Sequence, residues 1–231
     1  MSIESAIRQG FASKRAAWWE SLVRPATARL DLEAAFALRY RVYVDEYGKP
    51  YPGADHQRRL LSDAWDAHSC VLIAERDGHV VGTIRGTLGR EPGFAEAHAG
   101  VFAHLDEVHA VGWHRVAYGS RLVVDADVRG HSRLAVALMV AIYVWALRNG
   151  AMLCLCHTVE PLLPLMEKMG WQRRGQPFLH GDSSTLQYPM VLAVENQGHL
   201  QSVGSPFAGL ERGATHASPS RNPDDRSVSP A

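Results

Sequence analysis

Three basic side chains alternate through one short junction, Val128-Arg129-Gly130-His131-Ser132-Arg133. Arg129, His131 and Arg133 all offer side-chain hydrogen-bond donors around one spot. Donors crowded in this way suit an anion. Two elements must position them. Residues 120–125 (SRLVVD), rich in β-branched side chains, read as a strand. Residues 134–147 (LAVALMVAIYVWAL) form a fourteen-residue apolar run closed by Arg148-Asn149-Gly150, and read as a helix. A strand that feeds a helix through such a turn aims the unbonded N–H groups of the first helical turn, and the positive end of its dipole, at one spot. The junction therefore reads as the seat of a phosphate-bearing carrier. Two other groupings yield less. Cys154 and Cys156 alternate on a predicted strand with no second pair to complete a zinc site, and with Cys70 they read as reduced thiols. His98, His104, His109 and His114 are spaced by five or six residues and share no helical face, so no metal site is expected.

The totals fit one domain. The chain has 231 residues, 46% hydrophobic and 21% charged, which supports a sizeable core. Twenty-four basic residues balance twenty-four acidic ones, which removes the electrostatic case for nucleic-acid binding. Only three of the basic residues are lysines, and arginine suits a bidentate grip on carboxylate or phosphate. Residues 1–20 lack the apolar core of a signal peptide, and the apolar run of 134–147 is shorter than the ~20 residues that span a bilayer, so a cytoplasmic location is expected.

Read in order, residues 1–20 form an amphipathic extension. Ile7, Phe11, Trp18 and Trp19 would make its apolar stripe, assigned to packing on the domain edge ahead of contact with a membrane or a carrier protein. Residues 21–28 suggest a first strand. Asp31 offers an N-cap, and Leu32, Ala35, Phe36, Leu38, Val42 and Tyr43 recur at helical spacing as far as Tyr47, before Gly48 and Pro50. Residues 70–75 and 79–85 are strand-like runs joined by Arg76-Asp77-Gly78, a hairpin. A short helix is expected over 101–107. Beyond the central junction come a strand over 151–157, a helix over 159–169 with Pro161 in its first turn, and a closing strand pair over 171–174 and 186–194. From Gln197 the composition turns to Gly, Ser, Pro, Asn and His, which predicts a disordered tail over 197–231. The packed domain is thus expected over 21–196, an α/β (α+β) arrangement with one mixed central sheet and helices on both faces.

A phosphate-gripping strand–turn–helix, set after a β-hairpin and before β-α-β, resembles the GNAT acyltransferase superfamily. There the turn is written Arg/Gln-x-x-Gly-x-Gly/Ala and binds the pyrophosphate of an acyl-CoA. This chain keeps Arg129-Gly130 but departs at Ser132 and Leu134. Further motifs are similar to those of acyl-homoserine-lactone synthases and N-acyl amino acid synthases. Arg39-Tyr40-Arg41-Val42-Tyr43 resembles their Arg-x-x-Val-Phe. Asp63 and Asp66 match Glu-x-Asp-x-x-Asp, with Leu61 in place of the glutamate. Val80-Val81-Gly82-Thr83-Ile84-Arg85 matches Val-Val-Gly-x-x-Arg, and Phe102-Ala103-His104-Leu105 matches Phe-x-x-Leu. Tyr118-Gly119-Ser120-Arg121-Leu122 resembles Glu-x-Ser-Arg-Phe without its glutamate. Gly170-Trp171-Gln172-Arg173-Arg174-Gly175 and Tyr188-Pro189-Met190-Val191-Leu192 lean toward the N-acyl amino acid synthases.

The resemblance implies a single GNAT-like domain that moves a medium or long fatty acyl group to the amine of an amino acid or of a residue in a peptide. The donor would be a phosphopantetheine thioester, acyl-ACP or acyl-CoA, and an acyl carrier protein becomes a possible partner, docked by Arg129, Arg133, Arg148, Arg173 and Arg174. Arg39, Asp63, Asp66, Arg85, Ser120 and Arg121 would form the acceptor cluster. Leu122, Val123 and Val124 would face the thioester, while Arg129, Gly130, His131, Ser132 and Arg133 would hold the carrier phosphate. The central strand and its successor should part to admit the pantetheine arm. Asp63, Asp66, Glu46 and His157 are the candidate bases. The alternatives are an acetyl-CoA-dependent small-amine N-acetyltransferase and a non-catalytic module that binds acyl thioesters.

Overall fold

The computed structural model describes residues 18–129, 133–180 and 185–210. Ile7, Phe11, Gly130, His131 and Ser132 lie outside them, as does the expected tail from residue 211 onward. Strands β1 (Val23–Pro25), β2 (Ser69–Arg76), β3 (His79–Leu88), β4 (Val116–Val124), β5 (Leu153–Thr158), β6 (Gln172–Arg173), β7 (Phe178–Leu179) and β8 (Leu186–Ala193) join in one sheet. Its order is β1-β2-β3-β4-β5-β8-β6, with β7 on the free end of β8, and β4–β5 is its parallel pair. The expected hairpin is β2–β3, turning at Asp77 and Gly78, both at positive φ.

Helix α1 (Arg29–Tyr40) covers one face. Its Ala35 and Leu38 pack on Val71, Ile73 and Val123. Beside it α2 (Phe94–Phe102) and α3 (Asp106–Val111) bring Phe94, Phe102 and Val108 over Val116, Tyr118, Leu153 and Leu155. The predicted apolar helix, α4 (Arg133–Arg148), fills the other face with Leu138, Met139 and Tyr143. It sits close because β3 carries glycine where the two meet. A Cβ on Gly86 would come within 2.6 Å of Ile142 and Trp145, and one on Gly82 within 2.9 Å of Leu138. Helices therefore cover both faces of a mixed sheet, as expected.

Several expectations need correction. The first helix does not run on as α to Tyr47: after Tyr40 it widens into a π-helix, Arg41–Glu46. The short helix expected over 101–107 is two helices, α2 starting after Gly93 at φ +76° and α3. Strand β4 begins at Val116, four residues early, because Val116, Ala117 and Tyr118 pair with β5. The helix expected over 159–169 is split by its two prolines into a 3-10 turn, Glu160–Leu162, and α5 (Leu163–Lys168), each with proline in its opening turn. The domain edges move too. Trp19, assigned to the extension, lies in the core. Residues 197–210, expected to be disordered, form α6 (Gln197–Ser202) and a turn that buries Leu200 and Phe207, with Phe207 stacked on Tyr143 at 4.5 Å.

Candidate active site

A short 3-10 turn, Ala64–His68, leads into β2, and two aspartates cap it. Asp63 Oδ1 accepts from Trp65 N–H at 2.9 Å and Asp66 Oδ2 accepts from Asp63 N–H at 2.9 Å. Arginines take up the rest of their capacity, at both oxygens of Asp63 and at Oδ1 of Asp66. Arg39, wholly buried on α1, donates through Nη1 to Asp66 Oδ1 at 2.7 Å. Arg85 on β3 donates to Asp63, lies 3.3 Å from Asp66 and donates through Nε to Ser120 Oγ at 3.1 Å. Arg121 reaches Asp63 Oδ2 at 2.7 Å and the Tyr51 hydroxyl at 3.3 Å, and its guanidinium lies over the rings of Tyr43 and Tyr51. All six residues expected to meet do meet.

A β-bulge makes this possible. Thr83 pairs with Val123 and Arg85 with Ser120, so Ile84 alone stands opposite Arg121 and Leu122. Strand side chains normally alternate between faces, and the extra residue lets consecutive Ser120 and Arg121 both reach the cluster. Arg121 adopts φ +56° at this point, a conformation disfavoured for a side-chain-bearing residue.

Three guanidinium groups face two carboxylates, which leaves one positive charge in excess. Burial pulls Arg39 below its ordinary range against the pull of Asp66, and its Nε and Nη2 have no partner among the described residues. Burial raises Asp63, but Arg85 and Arg121 outweigh it, and the carboxyl ends below the usual carboxylate range. Burial lowers Lys49, which lies at the edge of the same group with its ammonium over Tyr43. Spare buried donors and surplus positive charge are the chemistry that pairs with a carboxylate.

Next to it the sheet opens. Strands β4 and β5 are paired at Val116↔Leu153, Ala117↔Cys154 and Tyr118↔Leu155, and there the pairing ends. From Gly119 to Val124, β4 keeps β3 on one edge and, among the described residues, no strand on the other, so Leu122, Val123 and Val124 lie along an unpaired edge. Beyond the split, β5 continues with Cys156, His157 and Thr158 against β8. His157 Nδ1 meets the Tyr118 hydroxyl at 2.7 Å.

At the far end of β4, Arg129 is engaged within the chain. Its fork binds Glu46, one arm at 2.8 Å, and Nε and Nη2 reach the Val124 carbonyl at 3.2 and 3.0 Å. Arg133 is exposed at the start of α4 and Arg148 lies at its other end. Arg173 and Arg174 sit on or beside β6, paired with Glu167 and Glu107. The five arginines do not form one patch. Cys154 and Cys156 are buried beneath α4, where desolvation pushes Cys154 up to about 12. Sequence reasoning named His157 among the candidate bases but missed Tyr51 and the bond from Tyr118 to His157; for Tyr118 the available signal was its standing where the motif has glutamate.

Comparison with known proteins agrees with this fold. The family model of the N-acyl amino acid synthase FeeM matches residues 34–194. The structure of FeeM, an N-acyl amino acid synthase from uncultured soil microbes, superposes with a TM-score of 0.62 at 12% identity, over 79% of this chain and 96% of that one. BjaI, a CoA-dependent acyl-homoserine lactone synthase solved with SAM and isopentyl-CoA, gives 0.58 at 22% identity, over 80% of this chain and 89% of that one. A putative N-acetyltransferase from Lactobacillus plantarum gives 0.53 at 18%, over 74% and 96%. A search of curated protein sequences finds no match. No helix among the described residues is long and apolar enough to cross a membrane. With the model covering well over half its length, the chain belongs to the N-acyl amino acid synthase family and is an acyltransferase.

Proposed function

We propose that this acyltransferase moves a medium or long fatty acyl chain from a phosphopantetheine thioester, carried by an acyl carrier protein or by CoA, to the amine of an amino acid or of a residue in a peptide. The observation that carries the reading is the adjacency of two features: a split between β4 and β5, and a buried cluster with one guanidinium charge in excess on the same sheet face.

The parts divide the work. The pantetheine arm runs along the open edge of β4 past Leu122, Val123 and Val124, where the outward-pointing backbone N–H groups of that stretch meet the thioester. The carrier phosphate sits against residues 129–133. Arg129 reaches it by exchanging Glu46 for phosphate, and Arg133 stands exposed beside it. The acceptor carboxylate, or the peptide carbonyl in its place, takes the spare donors of Arg39 with Arg85 and Arg121 around it. Asp63 is held ionised by two arginines, so it suits gripping the amine better than taking a proton from it. Ser120 fixes Arg85. Holding amine and thioester side by side turns a bimolecular encounter into a local one. Buried reduced thiols fit a cytoplasmic setting.

The test offers the protein acetyl-CoA, palmitoyl-CoA and a palmitoyl-loaded carrier protein against a panel of amino acids, and follows thiol release with mass spectrometry of the product. Transfer from a long-chain donor to an amino acid supports the reading. Transfer from acetyl-CoA to simple amines alone, or tight thioester binding without turnover, refutes it.

A further inference from the structure

Where β4 and β5 part, one pair of side chains bridges the fork. Tyr118 is the last β4 residue paired with β5, and His157 stands two residues past its partner Leu155, so in a continued ladder it would face Ser120. The imidazole is partly open to solvent, whereas Tyr118 is buried. Both lie on the face that carries the arginine cluster. We propose that His157 is a further catalytic residue of the acyl transfer: a neutral imidazole, oriented by Tyr118, whose Nε2–H hydrogen-bonds the thioester carbonyl oxygen as it becomes an oxyanion.

The tautomer follows from the hydrogen bonding. Burial holds the Tyr118 phenol far from ionisation, and Nδ1 of His157 is the acceptor it meets among the described residues. Were Nδ1 protonated, a buried phenol proton would be left without a partner, at a cost of about 1–3 kcal/mol. With the phenol donating into Nδ1, the ring proton resides on Nε2, which no hydrogen bond among the described residues engages.

A base and a donor are distinguished by the surroundings. His157 is packed against Phe178 and His180 at ring distances of 5.5 and 4.7 Å, and Tyr118 in turn stands against His98 of α2 at 4.6 Å. Burial first, then the charges of His180 after β7, His98, Arg121 of β4 and Lys49 of the loop after the π-helix, push His157 down to about 3. A group that binds protons so weakly draws little from an ammonium at neutral pH. The positive field that keeps it neutral stabilises negative charge on an oxygen in front of it.

In the step itself the amine nitrogen, unprotonated on entry, bonds to the acyl carbon and the carbonyl electron pair moves to oxygen, where Nε2–H and a β4 amide meet it. The pair then returns, the C–S bond breaks, and the thiolate leaves as a thiol with the proton the amine nitrogen gives up through solvent. His157 neither gains nor loses a proton across the cycle.

This inference rests on the acyl-transfer reading, and its test separates the two. Nitrogen-15 NMR of the histidine rings in the free protein reads the tautomer whether or not a substrate is known. The expected result is a neutral Nε2–H ring for His157 from pH 5 to 9. A protonated or Nδ1–H ring overturns the inference and leaves acyl transfer untouched. In turnover with the donor found above, His157→Ala should lower kcat about 10²–10³-fold with little change in KM, the usual loss for an oxyanion donor. His157→Gln, whose amide places an N–H near the old Nε2, should recover part of it, and the pH–rate profile should keep its shape in both. Tyr118→Phe should shift the ring signal toward Nδ1–H and lower kcat. Equal loss in Ala and Gln with a displaced acid limb would mark a base and sink the proposal. Unchanged kcat in folded His157→Ala would reduce the pair to packing and do the same. Wild type that turns over no thioester refutes the function and this role together.

Discussion

The Arg39–Asp66 pair allows a stability test with an unusual asymmetry. Arg39 is wholly buried and Asp66 is 6% exposed. Asp66→Ala removes the one hydrogen-bond acceptor that Arg39 has among the described residues and also the bond from Asp63 N–H. Breaking a buried pair from one side leaves an uncompensated charge and costs about 3–5 kcal/mol. At roughly 2–4 °C per kcal/mol for a chain of this size, Tm should fall by roughly 6–20 °C. Arg39→Met removes a charged hydrogen bond worth about 1.5–3 kcal/mol, but it also removes two unpartnered buried donor atoms that each cost about 1–3 kcal/mol. Methionine fills much of the volume, and Asp66 keeps Arg85 at 3.3 Å. The net change should lie within about 1 kcal/mol of zero. Calorimetry at pH 7, checked by urea titration, measures both. Adding an amino acid acceptor should raise Tm in the wild type and leave Arg39→Met unmoved, because the spare donors are what the carboxylate binds. If Arg39→Met costs as much as Asp66→Ala, Arg39 is a structural pin with no surplus, and the acceptor argument loses its basis.

Other outcomes follow from the same contacts. Gly86→Ala, which brings a Cβ within 2.6 Å of Ile142 and Trp145, should destabilise by about 1–3 kcal/mol in urea unfolding, while Gly100→Ala, with open space around it, should not. Acid should weaken the fold early. Asp63 has its folded value depressed, so its contribution is complete above the unfolded carboxyl value and is lost as pH falls toward the folded one. His157, depressed to about 3, is neutral when folded while its unfolded form takes a proton below about 6.5, so it too loses stability as pH falls from there. Tm should therefore decline below about pH 6.5, and His157→Gln should flatten the upper part of that decline. Glu46→Gln should change stability by less than about 1 kcal/mol, since the pair is largely solvent-accessible, yet lower KM for the donor by freeing the Arg129 fork; an unchanged or raised KM would remove Arg129 from the phosphate site.

How much of this was legible depended on whether a pattern was local. The hairpin at Asp77-Gly78 and the apolar run that became α4 announce themselves within a dozen residues, and both formed. The six cluster residues came from motif order alone, and the contacts explain why those types recur at those places: each aspartate caps a turn with one oxygen and takes an arginine with the other. What stayed hidden was set from a distance. Residues 116–119 fall outside the expected strand of 120–125 because the pairing of Val116, Ala117 and Tyr118 is with Leu153, Cys154 and Leu155, across a helix. The π-helix carries the same apolar spacing as an α-helix would. Leu200 and Phe207 are isolated apolar residues in a polar stretch, and the ring on which Phe207 stacks, Tyr143, is far away in the chain. Tyr51 reaches Arg121 from a loop seventy positions away, beyond any spacing rule.

The bulge at Arg121 ties the two halves of the site together. A non-glycine residue at φ +56° costs on the order of 1–3 kcal/mol, and glycine there would relieve most of it. The chain instead keeps arginine, held by Asp63 and flanked by Tyr43 and Tyr51. Those contacts offset the strain, but they do not require it: on a regular strand, a guanidinium two residues earlier or later would also face this side. What the bulge adds is the phase change. Pairing with β5 has already ended at Tyr118, and from Gly119 onward the outer edge of β4 meets no strand among the described residues. Arg121, which completes the charged cluster, thus lies on the stretch 119–124 whose outer edge is free, so one segment of β4 carries both halves of the proposed site.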